Sequence, residues 1–316
     1  MTVLVTGATG FLGRRVVKAL LEKGKEVRCL VHSPGAEAVL DQDRVDIHYG
    51  SVSDPPSLRT AFYDLEAVVH LVAIIREKRG ATFYRVNVQG VLNVLRAAST
   101  AGVKSFVHVS AIGAQNTPRL RYLYSKWQGE QAVIRSGIPY TILRPSLLFG
   151  EGDEFMNSLA GLVKALPVVP VIGSGQNQFQ PVAADDVARC VVSSIDNADM
   201  ENRLVELGGP ERLTYERIVD IIAETIGVRR VKLHVPLSLI RYPVWLMQRV
   251  IPRPPVTLDQ LAMLPVPNYP ESDTVQAVFG FEPQPVAGNI DFVKKVGRVD
   301  GLKIALGFMP AHIRDH

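Results

Sequence analysis

Short apolar, β-branched runs alternate with longer stretches of helical period along the first half of the chain. Val3–Val5, Val27–Val31, Val45–Tyr49, Ala67–Val72, Lys104–Ser110 and Tyr140–Leu143 read as strands, mostly apolar on both faces. Continuous runs of this length suit strands covered on both sides, as in a parallel sheet. Between them, Phe11–Lys23, Pro55–Tyr63, Thr82–Ala101 and Tyr122–Ser136 carry the helical period. That alternation predicts βαβ units and an α/β fold built on a doubly wound parallel sheet. The punctuation agrees. Asp54 stands where it can cap a helix beginning at Pro55, and Gly24, Gly102 and Gly137 follow helical runs where a left-handed C-cap would sit.

Beyond Arg144 the pattern changes. Pro145, Pro167, Pro170 and Pro181, with Gly150, Gly152, Gly173 and Gly175, mark loop-rich chain rather than another simple repeat. Asp185–Ile195 reads as a helix and Leu204–Leu207 as a strand returning to the sheet. From about Pro236 the chain is Pro-rich and carries apolar helices, which predicts a smaller, discontinuous lobe over the carboxyl edge of the sheet. Ligands of open α/β sheets bind at that edge. The expected division is residues 1–150, with 181–208 rejoining them, as the nucleotide-binding domain, and 151–180 with 209–316 as the lobe.

Composition narrows the classes without choosing one. Of 316 residues, 47% are hydrophobic and 21% charged, so the chain is globular rather than disordered. Lys and Arg exceed Asp and Glu by only four, with no block of five like charges, which argues against a nucleic-acid partner. Two cysteines, Cys29 and Cys190, make neither a disulfide framework nor a metal site. The first residues enter a strand directly, and no uninterrupted apolar run reaches membrane-spanning length. A cytoplasmic location is the expectation.

The strongest local motif is Thr6-Gly7-Ala8-Thr9-Gly10-Phe11-Leu12-Gly13, lying between the first strand and the first helix. Gly7 permits the tight turn, Gly10 lets backbone approach a pyrophosphate, and Gly13 lets helix and strand pack closely. The helix N-terminus supplies free N–H groups and positive potential for the phosphates. The reading is a Rossmann-type dinucleotide site formed by Gly7, Thr9, Gly10, Phe11, Leu12 and Gly13. An acid at the end of the second strand would bind the adenosine ribose 2′-hydroxyl and repel a 2′-phosphate. Here Val31-His32-Ser33 has none, and His32, Ser33 and Arg14 offer a place for the phosphate instead. NADP(H) is therefore favoured over NAD(H).

Tyr122 and Lys126 stand four residues apart on one helix face. A nearby ammonium lowers a phenol's pKa, and a Tyr so tuned can exchange a proton with a substrate oxygen while hydride moves to or from nicotinamide.

Together, Thr6–Gly13, Asn87 within Val86-Asn-Val-Gln-Gly90, Ser110 at a strand end, Tyr122/Lys126 and Arg144-Pro-Ser146 resemble the extended short-chain dehydrogenase/reductase superfamily. Residues 180–188 look like its epimerase/dehydratase branch. Residues 106–114 and 143–153 resemble an atypical subgroup that includes the dehydrogenase-like accessory subunit of respiratory complex I and its bacterial relatives. The likeness covers most of residues 1–195. It implies a proton-relay or structural role for Asn87, acid/base work for Tyr122 and a ribose-binding cation in Lys126. It also implies cofactor contacts from Val52, Leu71, Val72, Ala73, Ser110, Pro145 and Ser146. Two departures stand out. The family's catalytic Ser/Thr falls on Ile112, so Ser110 must substitute or the hydroxyl is absent. Gln178-Phe179-Gln180 stands where nucleotide-sugar enzymes place an Arg, which disfavours such a substrate.

In the lobe, residues 236–251 form an amphipathic helix when plotted at 100° per residue. Ser238, Arg241, Trp245, Gln248 and Arg249 share one side, and Leu239, Ile240, Leu246, Met247, Val250 and Ile251 the other. The segment reads either as a lobe helix packed on the core or as a peripheral membrane contact. An apolar lobe points to an apolar substrate of quinone, isoprenoid or lipid type. Two function classes fit the whole chain: an NADP(H)-dependent oxidoreductase or epimerase/dehydratase-like enzyme, or a catalytically silent NADP(H)-binding structural, assembly or sensor protein.

Overall fold

The computed structural model describes residues 1–251, 254, 256–271, 275–306, 308 and 310. Seven strands form one parallel sheet: β1 (Thr2–Thr6), β2 (Glu26–Val31), β3 (Val45–Tyr49), β4 (Ala67–His70), β5 (Ser105–Val109), β6 (Tyr140–Pro145) and β7 (Arg203–Leu207). Their spatial order is β3-β2-β1-β4-β5-β6-β7. The chain winds outward from β1 to one edge, then returns and winds the other way, so the switch point lies between β1 and β4. In open sheets of this kind the ligand crevice lies at the carboxyl ends of the strands flanking that point.

Alternating side chains of each strand feed two separate cores, which is why the strands read as apolar on both faces. Val3 and Val5 of β1 pack with Val16, Val17 and Leu20 of the Phe11–Glu22 helix and Val187 and Val191 of the Ala184–Asp196 helix. Leu4, between them, joins Val68, Phe106 and Ile142 against Val91, Val94 and Val133 on the opposite face. A third core, around Met156, Val169, Ile218, Ile222 and Val293, lies outside the sheet. The strand Val168–Ile172 pairs with Val231–Val235 at its margin.

Local signals account for most boundaries. Gly24, Gly102 and Gly137 take φ of +69°, +70° and +74°, a left-handed conformation that glycine adopts without steric cost. Three expectations need correction. The helix from Pro55 ends at Leu58, its continuation closing as turns before Asp64 at φ +51°, and Asp54 makes no side-chain cap. The stretch after Pro145 is not merely loop: Glu154–Ala165 is a helix, capped by the Asp153 carboxylate accepting from Met156 N at 2.6 Å. Finally, the helix over residues 83–100 is not α throughout, because Tyr84–Gln89 is π-helical.

Candidate active site

The phosphate loop has the geometry that its glycines require. Gly7 adopts φ +76° and packs against Val72 and Leu71 of the β4 loop. A Cβ on Gly13 would lie 2.0 Å from the Gly7 carbonyl oxygen, so only glycine lets this helix approach β1 so closely. Gly10 precedes the Phe11–Glu22 helix in extended conformation, no side chain caps the helix, and no acid occupies its first turn. The helix N-terminus therefore keeps the positive potential that a pyrophosphate needs. Thr9 and Phe11 are half-buried and Leu12 is buried. The Arg15 guanidinium lies 4.4 Å from the Phe11 ring centroid, fixing the ring beside Gly150. At the end of β2, His32 and Ser33 are exposed and Arg14 is half-buried. Val52 is buried against Gly90, with its carbonyl accepting from Asn93 Nδ2 at 2.8 Å. These groups fit a nicotinamide dinucleotide.

Tyr122 and Lys126 lie on the Arg121–Ile134 helix, which is fastened to its surroundings at three points. First, Ser125 Oγ accepts from Asn87 Nδ2 at 3.0 Å. Asn87 spends its remaining capacity on the β4 loop, donating to Ile74 O at 3.0 Å and accepting from Ile74 N at 2.8 Å. Second, the buried Lys126 Nζ donates to Val109 O at 2.8 Å, at the very end of β5. Third, the buried Glu130 carboxylate receives a two-pronged bond from Arg144 of β6, at 2.8 and 2.7 Å. Such forked pairs fix orientation as well as distance. Glu206 of β7 adds a longer contact to Arg144 at 3.5 Å. At the helix start, Arg121 pairs with Glu77 and, at 3.6 Å, with Asp259 of the C-terminal segment.

Electrostatics follow from burial. Desolvation pushes the Tyr122 phenol up to about 12, so the expectation of a cation-lowered phenol is not met. The Phe83 ring, edge-on at 5.9 Å between centroids, contributes to that apolar setting. Desolvation pulls Lys126 down to about 8, with partial compensation from Glu130.

Ser110 is buried directly after β5, and its hydroxyl finds no partner among the described residues. Ile112 is equally buried, its N–H donating to Pro145 O at 3.1 Å. Leu71 and Val72 are half-buried and Ala73 is exposed at the crevice. Pro145 is buried at the end of β6. Ser146 is otherwise engaged: its hydroxyl meets the Asn268 carbonyl and side-chain oxygens, both at 2.7 Å, and accepts from Gln180 N at 3.2 Å. It therefore joins the lobe to the sheet.

Sequence reasoning missed a buried polar row beneath the site. Thr6, His70 and His108 stand in register on β1, β4 and β5. Thr6 Oγ1 lies 2.8 Å from His70 Nδ1, and the two imidazoles stack with centroids 5.5 Å apart. Burial pulls both histidines down, His70 to about 3, and the Lys126 charge adds to the effect. The available signal was one polar residue near the end of each of three neighbouring apolar strands.

Comparison with known proteins agrees with this architecture. Residues 3–208 match the NAD dependent epimerase/dehydratase family. The chain is 31% identical over 245 residues to the mitochondrial NADH dehydrogenase [ubiquinone] 1 alpha subcomplex subunit 9 of Arabidopsis thaliana. That match covers 74% of this chain and only 60% of the relative's length. It is 30% identical over 229 residues to a ceramide reductase of Caulobacter vibrioides, covering 72% of this chain and 71% of that one. Among solved structures, an NADPH-dependent quinone oxidoreductase from Escherichia coli shares the fold with a TM-score of 0.72 at 21% identity, covering 90% of this chain and 97% of that one. The chain belongs to the NAD dependent epimerase/dehydratase family, within the short-chain dehydrogenase/reductase superfamily that its motifs resemble.

Proposed function

We propose that this chain is an NADP(H)-dependent oxidoreductase acting on an apolar carbonyl or alcohol, with Tyr122 as the proton donor or acceptor. The observation that carries the reading is the three-point fastening of the Tyr122 helix, with Lys126 held at the end of β5 next to Ser110, whose hydroxyl has no partner among the described residues. Buried polar groups are normally paired, and an oriented hydroxyl without a partner suits an absent ligand. When bound, a nicotinamide cofactor supplies or accepts hydride. The Gly7–Gly13 loop would hold its pyrophosphate and Lys126 its ribose. In the direction of carbonyl reduction, the Tyr122 O–H donates its proton to the substrate oxygen. A phenol pushed up to about 12 keeps that proton at neutral pH and so enters the reaction in the protonated form that this step requires. Ser110 orients the same oxygen, standing in for the hydroxyl that Ile112 lacks. Asn87 positions the helix through Ser125.

The preference for NADP(H) rests on the exposed, acid-free end of β2 at His32 and Ser33. Calorimetric titration should give tighter binding of NADPH than of NADH by about tenfold or more, the worth of one charge-assisted contact. Equal affinities, or a preference for NADH, would remove this assignment. Gly13→Val should abolish binding of both.

A second reading has its own support. Ile112 is buried where active relatives place a hydroxyl, and the chain's relatives include a complex I subunit and a photosystem II assembly factor, the latter from Synechocystis. In that reading bound nucleotide stabilises the fold and no turnover occurs. Ser110→Ala separates the two. Removing the hydroxyl that stands in at the site should lower turnover of an apolar ketone, by up to about 2.7–4 kcal/mol of barrier if the geometry is ideal. No turnover by the parent in any carbonyl assay, or none lost in the variant, with both folded and NADPH bound, would favour the silent protein.

A further inference from the structure

We infer that the outward face of the Leu237–Val250 helix docks on an anionic lipid bilayer. This inference does not depend on turnover at Tyr122. The helix presents Leu239, Tyr242, Leu246 and Val250 at intervals of three and four residues, so they share one face. All four are exposed, by 66%, 69%, 48% and 73%. Val244, on the opposite side, is the one residue of the helix that is buried among the described residues. The apolar side expected from sequence is thus divided. Ile240 and Met247 turn partly inward, while Leu239, Leu246 and Val250 are left to solvent. Val231 and Leu233 on the preceding strand are exposed as well.

The margin of this stripe has the make-up of a headgroup contact. The Arg249 guanidinium lies 3.8 Å from the Trp245 ring centroid, and Trp245 stacks on Tyr242 with centroids 5.6 Å apart. Indole and phenol rings favour the level of lipid headgroups, and arginine reaches their phosphates. Charge singles out the occupant. Residues 225–258 contain six Lys and Arg and no Asp or Glu. Without those six, the chain's 35 basic residues fall to 29 against 31 acids, so its entire positive excess resides here. Lys232 is spent on Glu216 and Asp220, at 2.9 and 2.8 Å, but Arg249 at the stripe's margin has no acid within its own segment. An apolar stripe so edged matches an anionic bilayer surface, which demands no shape complementarity. The helix, 14 residues long, lies in the interface plane, since no helix among the described residues is long and apolar enough to cross a membrane.

The docking face is one helix away from the candidate site. Gln248 Oε1 accepts from Leu258 N at 3.2 Å, and Asp259 of the Leu258–Met263 helix pairs with Arg121 beside Tyr122. Docking therefore brings the Tyr122 side of the crevice close to the membrane surface.

The test is co-sedimentation of the full chain with vesicles of phosphatidylcholine alone or phosphatidylcholine mixed with phosphatidylglycerol. The protein should partition onto the mixed vesicles, release as salt rises, and shift its tryptophan emission to the blue. Arg249→Glu should weaken partitioning by about fivefold or more, given roughly fivefold per surface cation lost. Leu239→Ser/Leu246→Ser should weaken it similarly. Both variants change exposed side chains and should bind NADPH as the parent does, which separates a lost surface from a lost fold. Failure to bind either vesicle, equal binding to both, or binding untouched by the substitutions would overturn the inference. So would retention by an acidic protein with no retention by the mixed vesicles.

Discussion

Tyr122→Phe is expected to lower turnover at least about a hundredfold while leaving NADPH affinity within a few-fold. The substitution removes one hydroxyl and keeps the ring, so the edge-on contact with Phe83 and the three fastenings of the helix remain. What disappears is the proton for the substrate oxygen, a group that general acid catalysis values at roughly two to four orders of magnitude. Lys126→Met should behave differently. It empties the ammonium held against Val109 O, so both affinity and turnover should fall. The parent's pH profile carries the same signature. Burial pulls Lys126 down to about 8, so activity should decline above that pH as the ammonium loses its charge. Full turnover by Tyr122→Phe in an established assay would remove Tyr122 from the chemistry.

The second large effect concerns acid. His70 and His108 are buried and held neutral, both well below the usual histidine range and His70 at about 3. In the unfolded chain they accept protons near 6.5. Stability supplied by keeping them neutral is therefore present above about 6.5 and is lost as pH falls below it, by about 1.4 kcal/mol per histidine per pH unit. Between pH 7 and 5 this amounts to about 2 kcal/mol each. One buried group works in the opposite direction. Burial raises the Asp153 carboxyl to about 7, so its protonation in the same interval stabilises the native state, by about 2 kcal/mol. The net expectation is a loss of about 2 kcal/mol in the parent. Urea unfolding at the two pH values should show it, and His108→Leu should remove one histidine's share. A parent and a His108→Leu variant with the same pH dependence would show that the imidazole is protonated in the folded state.

Much of the fold was legible because its signals are local. The strands of the sheet announce themselves as apolar runs, and Gly24, Gly102 and Gly137 end helices where a positive φ is required. The phosphate loop was legible for the same reason, since Gly7, Gly10 and Gly13 each answer a steric demand within eight residues. The helix Glu154–Ala165 was not, because Asn157, Ser158 and Gly161 dilute its apolar face and Pro and Gly crowd around it. Nor could the sequence show what fastens the Tyr122 helix. Asn87 to Ser125, Lys126 to Val109 and Arg144 to Glu130 join residues separated by 38, 17 and 14 positions, and only the assembled fold brings them together. The π-helical turn carrying Asn87 has no residue signature at all. Two further residues changed meaning in three dimensions. Ser146 matched a cofactor-lining position by motif, yet it bonds Asn268 of the lobe. His70 and His108, unremarked within apolar strands, form a neutral row under Lys126.

The choice between a working enzyme and a silent nucleotide binder can be made without knowing the substrate. A strain lacking this protein would be complemented with the parent, with Gly10→Val, which places a side chain in the phosphate loop, and with Tyr122→Phe, which leaves that loop and the fold intact. The account predicts that the parent restores growth and that both variants fail, Gly10→Val for want of cofactor and Tyr122→Phe for want of a proton donor. Restoration by Tyr122→Phe to the parent's level, with Gly10→Val still failing, would contradict it and make nucleotide binding alone the function.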